Sequence, residues 1–198
     1  MACMCGSTAD SVHHVWIGFL RTGNAREERF LYDWRVLPIN ALTKWFTDSD
    51  VYGCELIFWN CAEHTFVVFC CDPYYRGVYR QLLTHFDPTT LFTKLHVNAE
   101  QEMRLYRFME RQLGKAFNRS AVYLFPLYPM PTTGEEWFCS ELITAAIQQL
   151  GFLDDIMPSS VAPEFLRLLL QRLDEARLLR SSSTMNIVQP TLPGKATK

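Results

Sequence analysis

The sequence predicts an α+β fold in which an antiparallel β-sheet packs against helices, and three observations predict it. Two runs rich in apolar, β-branched and aromatic residues, 54–59 and 65–71, are separated by the four residues Asn60 to Glu63, a spacing that suits an antiparallel hairpin. The stretch from Asn98 to Gly114 carries a capping pattern and a one-sided apolar stripe, which together specify a helix. A leucine stripe behind Pro163 specifies another.

The elements follow in chain order. Residues 1–11 read as a flexible tail, and Val12 to Leu20, with Val15, Trp16, Ile17 and Phe19, as a strand. The polar stretch 21–29 is a loop. Phe30 to Leu37 is a strand candidate stopped by Pro38, and Asn40 can cap a short helix through Ala41, Leu42, Trp45 and Phe46. Residues 47–50 are turn chemistry, because Thr, Asp and Ser side chains bond to their own backbone. Both hairpin strands are apolar throughout, so both their faces should be covered; Asp72-Pro73 ends the second. Residues 91–97 form a further strand candidate. In the helix that follows, Asn98 is the cap, Gln101 completes a capping box, and Leu105, Phe108, Met109 and Leu113 share one face up to Gly114. Residues 119–136, with Pro126, Pro129, Pro131 and Gly134, read as an ordered loop beside a site; its aromatic residues Tyr123, Phe125 and Tyr128, with Trp137, either wall a cleft or pack beneath the loop. Phe138 to Leu150 is a helix stopped by Gly151. Pro163 to Arg180 is the last, with Leu166, Leu169, Leu170 and Leu173 as its stripe, and residues 181–198, rich in Ser, Thr and Pro, read as a disordered tail. The result is one domain, 12–180, between two tails.

Composition narrows the function. The 198 residues are 48% hydrophobic and 20% charged, which is globular and large enough for a core. A net charge of −2 argues against a general nucleic-acid binder. No apolar run reaches the roughly 18 residues of a membrane span, and the first residues lack the basic and apolar regions of a secretory signal. Seven cysteines, an odd number without an export signal, point to an intracellular, reducing location and free thiols. Cys61, His64, Cys70 and Cys71 have a zinc-like spacing, but neighbouring strand residues point to opposite faces, so no metal site is expected. No cofactor is implied. His13 and His14 read as the start of a strand. Glu55, inside an apolar strand, needs a partner or a function.

Cys139 stands apart. The run Trp137-Phe138-Cys139-Ser140-Glu141-Leu142 puts a cysteine at the start of an apolar helix, where free N–H groups and the helix dipole favour a thiolate and can hold an oxyanion. A neighbouring histidine would complete a nucleophile–base pair. As a small apolar residue, Cys139 could equally be core. Glu141 reads as a first-turn acid complementing the dipole.

The segment Phe138-Cys139-Ser140-Glu141-Leu142 resembles the cysteine motif of the permuted papain-like (NlpC-type) cysteine hydrolases, which occur in bacteria, poxviruses and other large DNA viruses. Gln112-Leu113-Gly114-Lys115-Ala116-Phe117-Asn118 is similar to the family's segment after a helix. Leu150-Gly151, followed by Met157-Pro158-Ser159-Ser160-Val161-Ala162-Pro163, is similar to its ending, and Leu95-His96-Val97 before Glu100-Gln101-Glu102 to its last strand and helix start. The resemblance covers roughly residues 40–173. It implies a Cys139 nucleophile and a histidine base on a preceding strand, oriented by a third polar residue. Two registers fit. In one, Cys54-Glu55-Leu56-Ile57-Phe58 is the histidine strand; Gly53 then occupies the histidine position, His64 is the nearest base and Glu55 a third residue. In the other, His14-Val15-Trp16-Ile17-Gly18 is that strand, with Asp33 as the orienting acid. The implied activity is a hydrolase, peptidase, amidase or thioesterase in type, acting on peptides, isopeptides or acyl lipids. The alternatives are a catalytically inactive interaction or host-modulating protein and a lipid-acting acyltransferase of the lecithin retinol acyltransferase type. The viral branch implies the interior of an infected host cell.

Overall fold

The computed structural model describes residues 13–21, 48–75, 77–124, 131 and 133–184, with only the backbone of His13, His14 and 176–184. The expected tail 1–11, the strand 30–37 with Asp33, the short helix after Asn40, Phe125 and Tyr128 of the loop, and the tail beyond Thr184 lie outside the described residues.

The described chain is a mixed α+β structure built on a seven-stranded sheet. Its strands are β1 (His13–Arg21), β2 (Val51–Asn60), β3 (Thr65–Asp72), β4 (Gly77–Leu83), β5 (Leu91–Val97), β6 (Ala116–Phe117) and β7 (Glu136–Trp137), in the spatial order β5-β1-β2-β3-β4-β6-β7. All neighbours are antiparallel except β6 and β7. The hairpin of β2 and β3 closes with Asn60 opposite Thr65, as the spacing predicts. Helices α1 (Ala99–Gln112), α2 (Arg119–Leu124), α3 (Cys139–Gln148) and α4 (Pro163–Thr184) complete the described structure, with a 3-10 turn at Pro158–Ser160.

Strand alternation divides the core. Val15, Ile17 and Phe19 of β1, Cys54, Leu56 and Phe58 of β2, and Phe69 and Cys71 of β3 join one buried cluster with Leu105 and Met109 of α1, Ile143 and Ile147 of α3, and Leu166 and Leu170 of α4. Ile57, Val68 and Cys70 bury the other face of the same strands, with Trp16 and Phe66 against them. Continuous apolar runs are what a central strand covered on both faces requires.

The α1 start is the capping box that the sequence predicts: Asn98 Oδ1 accepts from Gln101 N at 2.8 Å, and Gln101 Oε1 accepts from Asn98 N at 3.0 Å. Gly114 and Gly151 follow α1 and α3 with φ of 81° and 76°, the left-handed region glycine tolerates best.

Four features differ from the sequence expectation. Strand β4 was not expected, because its alternation fails: Leu82 is exposed and Gln81 half-buried. The segment read wholly as a loop, 119–136, contains α2, capped by Asn118, whose Oδ1 accepts from Ala121 N at 2.8 Å. Helix α4 runs to Thr184, past Arg180, since no proline or glycine stands between Pro163 and Pro190 to stop it. Cys61, half-buried in the β2–β3 turn, is in a disulfide, whereas Cys54, Cys70, Cys71 and Cys139 are free. The expectation of thiols throughout therefore fails at a turn position, where the sulfur is less shielded than in a central strand.

Candidate active site

Cys139 is the first residue of α3, and Phe138 before it is the extended N-cap. Glu141, buried in the first turn, accepts a hydrogen bond from Phe138 N at 3.3 Å. The carboxylate thus satisfies a helix-start N–H, in keeping with its reading as a first-turn acid.

Two of the stretches that resemble the family, 112–118 and 157–163, meet around this helix start. Trp137 Nε1 donates to Gln112 Oε1 at 3.2 Å, tying the end of α1 to the residue two before the cysteine. Lys115 Nζ donates to the Gly134 carbonyl, and Asn118 N to the Trp137 carbonyl at 2.9 Å. Ser140 Oγ donates to the Val161 carbonyl at 2.6 Å, pinning the segment after the 3-10 turn against α3. Each of these partners is distant in sequence, so the strand β7 and the start of α3 are held from three directions. Close backbone approach completes the frame. Val78 N donates to the Lys115 carbonyl at 2.9 Å, and a Cβ on Gly77 would stand 2.0 Å from that same oxygen, so only glycine fits there.

The sulfur environment is made of thiols and amides. Cys139 is half-buried and packs against the helix-side cluster that includes Cys54 and Cys71. The Cys54 S–H holds the Cys139 thiol below its ordinary range; burial opposes this, and the N–H groups of Cys54, Ser140 and Cys139 itself reinforce it. Cys54 is pushed well up, first by burial and then by the Cys139 thiol. Cys71 is likewise pushed well up by burial, with Cys139 adding to it, and its Sγ donates to the Trp137 carbonyl at 3.1 Å. Cys54 and Cys71 belong to the helix-side face, whereas Cys70 lies on the other, its Sγ 3.5 Å from Glu55 Oε2. Glu55 is 2% exposed, and Gly18 makes room for it: a Cβ there would stand 3.1 Å from Glu55 Cγ. Adjacent strand positions place Glu55 on the opposite face from Cys54 and hence from Cys139.

The chain has five histidines, and the backbone places all five at the other end of the sheet. His64 is exposed in the β2–β3 turn with φ 51°, its ring against Trp59. Cys71 lies six residues beyond Thr65 on β3, which is ~20 Å of extended strand. His14 sits opposite His96 of β5, and Phe19 is the β1 residue opposite Cys54, so five strand residues, ~17 Å, separate them. His13 precedes His14, and His85 follows the far end of β4. The structure therefore brings neither His64 nor His14 to Cys139. A side chain at Gly53 would meet Leu20 Cδ1 at an ordinary contact distance of 3.5 Å, but adjacent strand positions alternate, so it would point away from the helix-side face that carries Cys54. Of the aromatic residues near the loop, Trp137 is buried against Phe108 and Tyr123 is exposed.

Cys54 and Cys71 are the site residues that the sequence reading missed. Alternation within 54–59 groups Cys54 with Leu56 and Phe58, but nothing in it says which face meets α3. Among the described residues no group of three His, Cys, Asp or Glu side chains is arranged to hold a metal ion, and no helix is long and apolar enough to cross a membrane. No protein-family model, curated protein or solved structure matches the chain.

Proposed function

We propose that the chain is a permuted papain-like protein in which Cys139 is an acyl-accepting nucleophile and the thiol of Cys54, the neighbour of the Gly53 position where the resemblance expects histidine, takes the place of the imidazole. The observation that carries this reading is the half-buried Cys139 thiol at the first residue of α3, held below its ordinary range by the Cys54 thiol and by backbone N–H groups at the helix start. The chemistry selects the substrate class. A thiolate can attack an ester or thioester carbonyl directly, and a thiolate leaving group departs without a proton. An amine leaving group needs an acid, which an imidazolium supplies and a buried thiol supplies poorly. Activated acyl donors, esters and thioesters, therefore suit this site better than peptide amides. The N–H groups of Ser140 and Cys139 would take the developing oxyanion. A thioester on Cys139 would then pass its acyl group to water or an acceptor.

The placement of the histidines favours a second reading, a papain-like scaffold that has lost catalysis and acts by binding. Incubation with an acyl-thioester probe and with an activated peptide-amide probe, read by intact mass, separates the two. Acyl transfer predicts an adduct from the thioester, on Cys139 and absent in Cys139→Ala, and little from the amide. No adduct from either probe between pH 7 and about 9, the range that brackets an ordinary thiol, overturns it in favour of binding.

A further inference from the structure

We infer that the outer edge of β5 binds an extended peptide that alternates acidic and apolar residues, adding it to the sheet as one more strand. Two observations meet there. Strand β5 ends the sheet: all seven of its residues pair with β1 without a register shift, and among the described residues no strand pairs with its outer side. The strand at the opposite edge, β7, is only two residues long. An edge strand presents a row of backbone N–H and C=O groups that another extended backbone can pair in series. Proteins blunt such edges with prolines, bulges or several charges, whereas β5 has no proline, no bulge and a single lysine.

The second observation is an apolar groove alongside this edge. Leu95 and Val97 of β5, Ile147 and Leu150 at and just after the end of α3, and Leu170 and Leu173 of α4 line about 410 Å³ of open space. The groove lies where β5 pairs with His13 and Val15, at the end of the sheet away from Cys139, so the inference stands apart from acyl transfer.

Strand alternation and charge select the occupant. Leu95 and Val97 are on the helix side of β5 and face the groove, with the exposed Asp174 of α4 at its margin. Lys94 and His96 are exposed on the other side. An added strand sends alternate side chains to each side. Its helix-side residues should be apolar, to fill the groove and avoid the Asp174 carboxylate, and the residues between them acidic, to stand across from Lys94. A second copy of β5 fits less well, because full-length antiparallel self-pairing sets Lys94 opposite Lys94, and like charges across strands repel.

The test adds to the full chain a fluorescein-labelled, end-capped peptide of alternating Glu and Val, as long as β5, and reads anisotropy at low salt. Comparators are the same peptide with alternate backbone nitrogens methylated, one with its Glu and Val in separate blocks, and an alternating Lys-Val peptide. The expected result is saturable binding of the Glu-Val peptide, weakened at least about tenfold by methylation. Hydrogen exchange should then slow at the amides of 91–97 and not at β7. Lys94→Glu changes an exposed side chain and should reverse the preference toward the Lys-Val peptide. No saturable binding up to about 1 mM Glu-Val peptide, equal binding of the methylated or block peptide, or protection away from β5 overturns the inference. Protection of the β5 amides that rises with protein concentration in the absence of peptide assigns the edge to a second copy and also overturns it.

Discussion

At the scale of single residues, the Cys139 environment sets an order of reactivity. Its thiol is held below the ordinary range while those of Cys54 and Cys71 are pushed above it by burial. Alkylation of folded protein by iodoacetamide should therefore reach Cys139 at lower pH than Cys54 or Cys71. Cys54→Ala, by removing the S–H donor, should move the Cys139 profile to higher pH; an unchanged profile would mean that the backbone N–H groups alone set it. Neither His64→Ala nor His14→Ala should shift the profile, given the ~17–20 Å of strand between these histidines and the sulfur. Ser140 offers a structural counterpart. Ser140→Ala leaves the buried Val161 carbonyl without its 2.6 Å donor, and urea denaturation should show a loss of about 1–2 kcal/mol.

At the scale of elements, the contact between β4 and the chain after α1 is the tightest of the frame. Gly77→Ala drives a Cβ toward the Lys115 carbonyl, where backbone on both sides resists, and should cost about 2 kcal/mol or more in a denaturant midpoint comparison. Because β6 carries this strain toward Asn118 and Trp137, the same variant should also change Cys139 alkylation. A variant in the α1 cap serves as the contrast: Asn98→Ala should cost about 1 kcal/mol and leave Cys139 reactivity alone, since the cap lies at the far end of α1 from Gln112.

At the scale of the whole molecule, the buried thiols make stability fall at alkaline pH. Cys54 and Cys71 have folded values raised above their unfolded ones, so their contribution is fully present below about pH 8.5 and is lost as pH rises from there toward the folded values. Cys139 works in the other direction, its share being present above the ordinary thiol range and lost as pH falls through its lowered value. Two raised groups against one lowered group predict a lower urea midpoint at pH 10 than at pH 7.5 under reducing conditions, with Cys71→Ala flattening the decline. A midpoint that is unchanged or higher at pH 10 would contradict the thiol assignments.

The sequence by itself determined the hairpin of β2 and β3, the capped start and glycine end of α1, and the position of Cys139 as the first residue of α3, because each follows from local spacing, turn chemistry or capping. Glu141 was legible for the same reason: a carboxylate in a first turn serves the helix start. The tertiary structure alone decided what faces Cys139. Alternation along a strand says which residues share a face, but not which strand end a helix start will meet, so His64 and His14 both stood as the base, and Cys54 went unread, until β1, β2 and β3 were in register. Once they are, antiparallel pairing carries every histidine to one end of the sheet and leaves Cys54 and Cys71 at the other, beside the cysteine that the sequence singled out.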